Sequence, residues 1–222
     1  MNDNLQQSTI MTMVPENIAG LQQELLTVIH GCHSKGWAQA TSTNFSFRNP
    51  ASAGETYTIS KSGVDKGLFS VNDFMVIDSH GKAGEDYRQF KPSAETLLHT
   101  MLYSKLRCNA VLHTHSVAAT VLSRRYRQQK EVSISGLEIL KGLKGVTTHE
   151  TTVTIPVFDN SQDMTALSEL IGNANPASMY GFLLAGHGLY TWGETIPEAK
   201  RHLETLEFLF ECVNALDLYI HD

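Results

Sequence analysis

The run Asn109-Ala110-Val111-Leu112-His113-Thr114-His115 ends an apolar stretch with two imidazoles. So short an apolar run predicts a buried strand. Side chains on a strand alternate faces, so His113 and His115 point to one side, roughly 6.6 Å apart along the chain, and Thr114 points to the other. Two buried imidazoles without partners are costly. One divalent metal, about 2.0–2.1 Å from each nitrogen, accepts both with little backbone strain. The bland alternative is two polar residues on the wet face of an edge strand, and the preceding Ala110-Val111-Leu112 argues against it. The pattern therefore predicts a metal-dependent enzyme with its metal at the C-terminal end of a strand.

The chain has 222 residues, enough for a sizeable core without disulfides or a structural metal. We expect a single domain over residues 17–222, preceded by a flexible tail over 1–16. The net charge is −6 with no basic run, which argues against nucleic acid and anionic membrane as partners. Cys32, Cys108 and Cys212 are widely spaced and odd in number, which fits reduced thiols in a cytoplasmic protein. No basic leader with an apolar core opens the chain, and no run approaches the length of a membrane span.

Helical periodicity begins after Asn17 and ends near Gly36. Strands are expected at 44–47 and 57–60, joined as a hairpin by a turn over 50–54, and at 74–78. A helix is expected over 93–106 with Ser93 as its cap, and another over about 117–125. Short strands follow at 132–135 and 151–158, with a helix over 163–173 between the second of these and a buried strand at 181–185. Thr195-Ile196-Pro197-Glu198 is a capping box that opens a long C-terminal helix. This order predicts one sheet covered by helices, not a strict βαβ repeat.

Among ten histidines, His187 is the best third ligand, because Gly186 and Gly188 let its backbone approach a site closely. His149 is the runner-up. Three histidines and an open position suit zinc acting as a Lewis acid on a carbonyl. Two glutamates are candidates for proton chemistry. Glu95 lies at an expected helix start, where an acid is a favourable dipole partner. Glu138 lies among Leu137, Ile139 and Leu140, where partial desolvation would raise its pKa as a general base requires; from the pattern alone, an exposed position of a short amphipathic helix is the reading that ranks first. Hydroxyls near Thr41 and Asn44, and the turn Ser60-Lys61-Ser62-Gly63, offer the donors and the ammonium that a phosphate needs.

Together these motifs resemble the class II (zinc-dependent) aldolase family, whose fold serves sugar-phosphate aldolases, 4-epimerases and adducin heads. The residues that carry the likeness are Thr41-x-x-Asn44, Ser62-Gly63, Pro92-Ser93-Ala94-Glu95, His113-x-His115 and Gly186-His187-Gly188, in the family's order. The resemblance implies an α/β fold, a three-layer α/β/α domain with a mostly antiparallel central sheet. It also implies a homotetramer with active sites at subunit interfaces and one Zn2+ per subunit on His113, His115 and His187. The substrate phosphate would fall on Thr41, Asn44, Ser62, Gly63 and Ser93, with Lys61 nearby. The stretches His113–Ser116, Ser135–Gly142 and Gly186–Gly193 look most like the family's dehydratase branch, which serves methionine salvage. There a metal-stabilised ene-diolate loses water, and the acid/base falls on Glu138. The chain differs from animal forms of that branch at Lys91, where they carry a cysteine. It keeps Pro-Ser-Ala-Glu instead, which leaves two readings of Glu95: a second carboxylate near the metal, or a remnant of the ancestral scaffold. An aldolase or 4-epimerase acting on a ketose phosphate is the alternative, and the histidines argue against an adducin-like assembly module.

Overall fold

The computed structural model describes residues 18–50 and 55–219. The expected tail and most of the expected 50–54 turn lie outside the described residues. Among the described residues, eight strands form one sheet in the order β3-β2-β1-β4-β8-β7-β6-β5. They are β1 (Asn44–Arg48), β2 (Thr56–Ser60), β3 (Phe74–Asp78), β4 (Ala110–Thr114), β5 (Glu131–Ile134), β6 (Val153–Phe158), β7 (Gly181–Leu184) and β8 (Gly188–Gly193). Only β6 and β7 pair in parallel; every other neighbour pair is antiparallel.

Among the described residues, five α-helices cover the sheet: α1 (Ile18–Ser34), α2 (Thr96–Lys105), α3 (Val117–Arg125), α4 (Met164–Asn173) and α5 (Ile196–Tyr219). The strand alternation sorts two cores. Ala110 and Leu112 of β4 pack with Leu25 and Ile29 of α1 and with Leu203, Leu206 and Phe210 of α5. Val111, from the other face, packs with Leu98 and Leu102 of α2 and Ile171 of α4. Each face of a sheet must bury its apolar side chains, and helices on both faces do so here. No helix among the described residues is long and apolar enough to cross a membrane.

Two local expectations are corrected. The 93–106 helix begins at Thr96, not Ser93. Thr96, Leu97 and Leu98 donate their N–H groups to the carbonyls of Ser93, Ala94 and Glu95, so tight i→i+3 turns precede the helix. The Ser93 hydroxyl accepts only the Glu95 N–H, at 3.3 Å. Ser93, Ala94 and Glu95 are thereby free to face a site.

The second correction is β8, which the sequence pattern did not reveal. Its bounding glycines resemble turn markers, yet they mark close approaches. A Cβ at Gly188 would lie 1.9 Å from the Thr114 carbonyl oxygen, and one at Gly193 would lie 2.4 Å from the Ala199 nitrogen. Only glycine lets β8 pair beside β4 at this point.

Candidate metal centre

β4 ends the apolar core and delivers His113 and His115 to its edge. The turn from β7 to β8 delivers His187, whose N–H bonds the Leu184 carbonyl at 3.0 Å while Gly186 takes φ +67°. The three imidazoles converge. His113 Nε2 lies 2.7 Å from His115 Nε2 and 3.3 Å from His187 Nε2. Glu95 completes the group, with one oxygen 3.1 Å from His187 Nε2 and the other 3.9 Å from His113 Nε2. One ligand atom from each of the four residues lies within 4.8 Å of all the others. Asn44 Nδ2, from β1, donates a short hydrogen bond to Glu95 Oε2.

The donor set fits a divalent cation. His113 is fully buried, and its Nδ1 lies 2.9 Å from the Leu189 carbonyl oxygen. A carbonyl can only accept, so Nδ1 carries the proton and the Nε2 lone pair faces the cluster. Burial, with His115 and His187 close by, holds His113 well below the ordinary histidine value. Burial and His187 push His115 down to about 4. Neutral imidazoles with converging lone pairs repel one another unless a proton or a cation lies between them. Burial works against the charged form of Glu95, but the His187 hydrogen bond and the neighbouring imidazoles outweigh it and hold the carboxyl below its usual range. Three imidazoles and one carboxylate suit zinc and its borderline neighbours. The Tyr190 ring stacks on His113 with centroids 3.9 Å apart and fixes the plane of the imidazole.

A cavity of about 400 Å3 opens beside this group. Thr41, Asn44, Ser62 and Ser93 line it together with Glu95, His115 and His187. Lys61 and Gly63 do not. The Lys61 ammonium donates to the Asn72 carbonyl at 2.6 Å and lies 4.0 Å from the centre of the Phe90 ring. Thr43, Asn160, Gln162 and Met164 also line the cavity and were not singled out from the sequence. Thr43 has φ +77°, an outlying backbone for a β-branched residue, and its buried hydroxyl has no partner among the described residues. Its place between Thr41 and Asn44 was the available signal. A wider cleft of about 840 Å3 adjoins, sharing Ser93 and Met164, and Lys82, Arg88 and Lys91 are on its wall.

Glu138 is not in the cluster. It opens a 3₁₀ turn, Glu138–Gly142, and its side chain is 70% exposed. Of the two readings of Glu138, the single chain shows the exposed position, not the desolvated acid with a raised pKa. The Lys141 ammonium, 2.6 Å away, holds the carboxyl below its usual value, and His149 at 3.3 Å adds to this. His149, the alternative third ligand, is thus engaged with Glu138 instead.

Residues 23–213 match the family model for the class II aldolase and adducin N-terminal domain. The chain is 45% identical to a methylthioribulose-1-phosphate dehydratase of Picosynechococcus sp., over 86% of this chain and 90% of that relative. It is 48% identical to the enzyme of the same name from Enterobacter sp., over 85% and 93% respectively. Among solved structures it is similar to the L-fuculose-1-phosphate aldolase of Thermus thermophilus, with a TM-score of 0.73 and 23% identity over 92% of this chain and 98% of that one. At that identity the likeness shows the fold.

Proposed function

The chain belongs to the class II aldolase and adducin N-terminal domain family, and from that premise we propose that it is a methylthioribulose-1-phosphate dehydratase. It converts 5-methylthioribulose 1-phosphate to 5-methylthio-2,3-dioxopentyl phosphate and water, a step of methionine salvage. The carrying observation is 44–48% identity to four dehydratases over 85–88% of the chain. The converged histidines and Glu95 support the metal dependence of the reaction. We further propose zinc as the ion, one per subunit, a homotetramer, and a cytoplasmic location.

His113, His115 and His187 would hold the ion. Bound there, it supplies Lewis-acid polarisation of a substrate carbonyl, which acidifies the adjacent C–H. Hydroxyls of Thr41, Ser62 and Ser93 and the Asn44 amide line the cavity and hold the phosphate, and the lysines and arginine of the adjoining cleft add positive potential. Glu95, fixed by Asn44 and His187, stays ionised and completes the ion's environment. Glu138 removes the proton from C3 and returns it to the C4 hydroxyl, which leaves as water. The enol then tautomerises to the diketone. Because Glu138 is exposed on its own chain, we assign its action to the site of a neighbouring copy.

Mass spectrometry of zinc-loaded protein, mixed separately with methylthioribulose 1-phosphate and fuculose 1-phosphate, tests the reaction. Loss of one water from the first and no cleavage of the second is expected; cleavage of the second alone would make the chain an aldolase. Mixing Glu138→Gln and His113→Ala subunits tests the shared site. Hybrid oligomers should regain activity that neither parent has, and no recovery would place Glu138 at its own chain's centre or outside the reaction.

A further inference from the structure

Glu207 lies in the middle of α5, fully buried behind the strand that carries His113 and His115. No lysine, arginine or histidine pairs with it among the described residues; the charged group that acts on it is another acid, Glu211. Burial pushes its carboxyl up to about 7. A buried carboxyl without a cation is costly, so its contacts carry information about what it holds.

Those contacts are two hydroxyls. Thr114 Oγ1 donates to Oε1 at 2.6 Å, and Ser116 Oγ donates a short hydrogen bond to Oε2. Ser116 Oγ also accepts the Ala119 N–H at 2.9 Å, which caps α3. Both hydroxyl residues are almost wholly buried, Thr114 at 0% and Ser116 at 1% exposure.

The spacing matters. His113 and His115 stand at i and i+2 on the front of the strand end. Thr114 and Ser116 stand at the next i and i+2 on the back. β4 stops at Thr114 and α3 starts at Val117, so His115 sits on a short link whose backbone N–H donates to the Trp37 carbonyl at 2.8 Å. One carboxyl spans the two positions that flank it.

We propose that Glu207 is a positioning residue for the metal centre: by fixing Thr114 and Ser116 from behind, it holds the His113 and His115 imidazoles at their ligating spacing. The inference rests on the reading that these histidines hold a metal, and not on which sugar phosphate reacts.

Cobalt(II) is the probe, because its visible bands report ligand geometry as well as occupancy. Glu207→Gln keeps the shape but replaces one acceptor with a donor, and Thr114→Val removes one hydroxyl at constant volume. Both should bind cobalt about 10–100-fold more weakly, with shifted bands. Thr114→Ser, which keeps the hydroxyl, should restore affinity to within about twofold. Ile171→Val, in the opposite core, should lower the melting temperature and leave the cobalt spectrum unchanged. Normal affinity and an unchanged spectrum in both Glu207→Gln and Thr114→Val would overturn the proposal. If Glu207→Gln does not fold, the Thr114→Val and Thr114→Ser pair decides. A wild-type chain that takes up no cobalt would overturn this inference together with the metal reading. A wild-type chain that binds cobalt yet dehydrates nothing would count against the dehydratase alone.

Discussion

Glu95 and Glu138 are both held charged, but by opposite kinds of surroundings. Glu95 is half-enclosed at the mouth of α2, with one oxygen toward His187 and the other toward Asn44. The imidazoles that steady its charge are those that would share an ion with it. Glu138 stands in solvent, and an exposed lysine three residues on steadies its charge. The region around Glu95 is finished within one chain. The region around Glu138 is not, because an exposed carboxylate beside an ammonium is a weak base. A partner surface or a substrate must displace water and Lys141 before Glu138 can accept a proton at neutral pH. Folding of one chain therefore brings His113, His115, His187 and Glu95 together, whereas under the proposed function Glu138 would acquire its environment on assembly.

The comparison can be broken most directly at the cage. His113→Ala should lose the metal and lower turnover by on the order of 10^4 or more. Metal analysis beside turnover checks this, and stoichiometric metal in the variant would remove His113 from the ligand set.

The two acids should then separate. Glu138→Gln should lower turnover by about 10^2–10^4 with metal content unchanged. Glu95→Gln should weaken metal binding and turnover together. Equal metal retention in both variants would erase the distinction drawn between the regions.

A smaller effect concerns pH. In the metal-free protein His115 protonates near 4, against 6.5 for an ordinary histidine. Between those values the unfolded chain binds more protons than the folded one, so stability rises with pH. This contribution is complete above about 6.5 and is lost as pH falls toward 4. Urea midpoints of the metal-free protein at pH 7.5, 6 and 5 should fall in that order, and His115→Asn should flatten the slope. Glu138, in solvent, should add nothing comparable.

The smallest contrast lies at the phosphate. Ser62→Ala should raise KM about tenfold, since a hydrogen bond to an anion contributes roughly 1.5–3 kcal/mol. Lys61→Met should change KM by less than about threefold, because its ammonium already serves the Asn72 carbonyl. A reversed order would return Lys61 to the phosphate.

Much of the fold was legible because its patterns are local. The His113 strand, α3 and the Thr195 start of α5 follow from apolar runs and caps, which depend on neighbours in sequence. β8 was not legible, because Gly188 and Gly193 have a packing role set by Thr114 and Ala199, distant in the chain. Within the site, His113 and His115 announced themselves by their spacing, and His187 by its glycines. Thr43 and Gln162 did not, because nothing local distinguishes a cavity wall from an ordinary loop. Glu207 was invisible for a related reason. On a helix pattern it is one more polar residue, and only the packing of α5 behind β4 puts it against Thr114 and Ser116.

The sequence by itself determined that a strand would end in two like-facing imidazoles, that helices would cover a sheet, and that a metal was the economical way to bury those rings. These follow from side-chain periodicity and the cost of burying polar groups, which act over a few residues. The tertiary structure alone decided how closely His187 and Glu95 approach the pair, that Lys61 turns away, and that Glu138 stays in solvent. Those outcomes depend on strand order and helix starts, through which residues about 75 and 20 positions from His113 come within a few ångströms of it, and no local pattern encodes that distance.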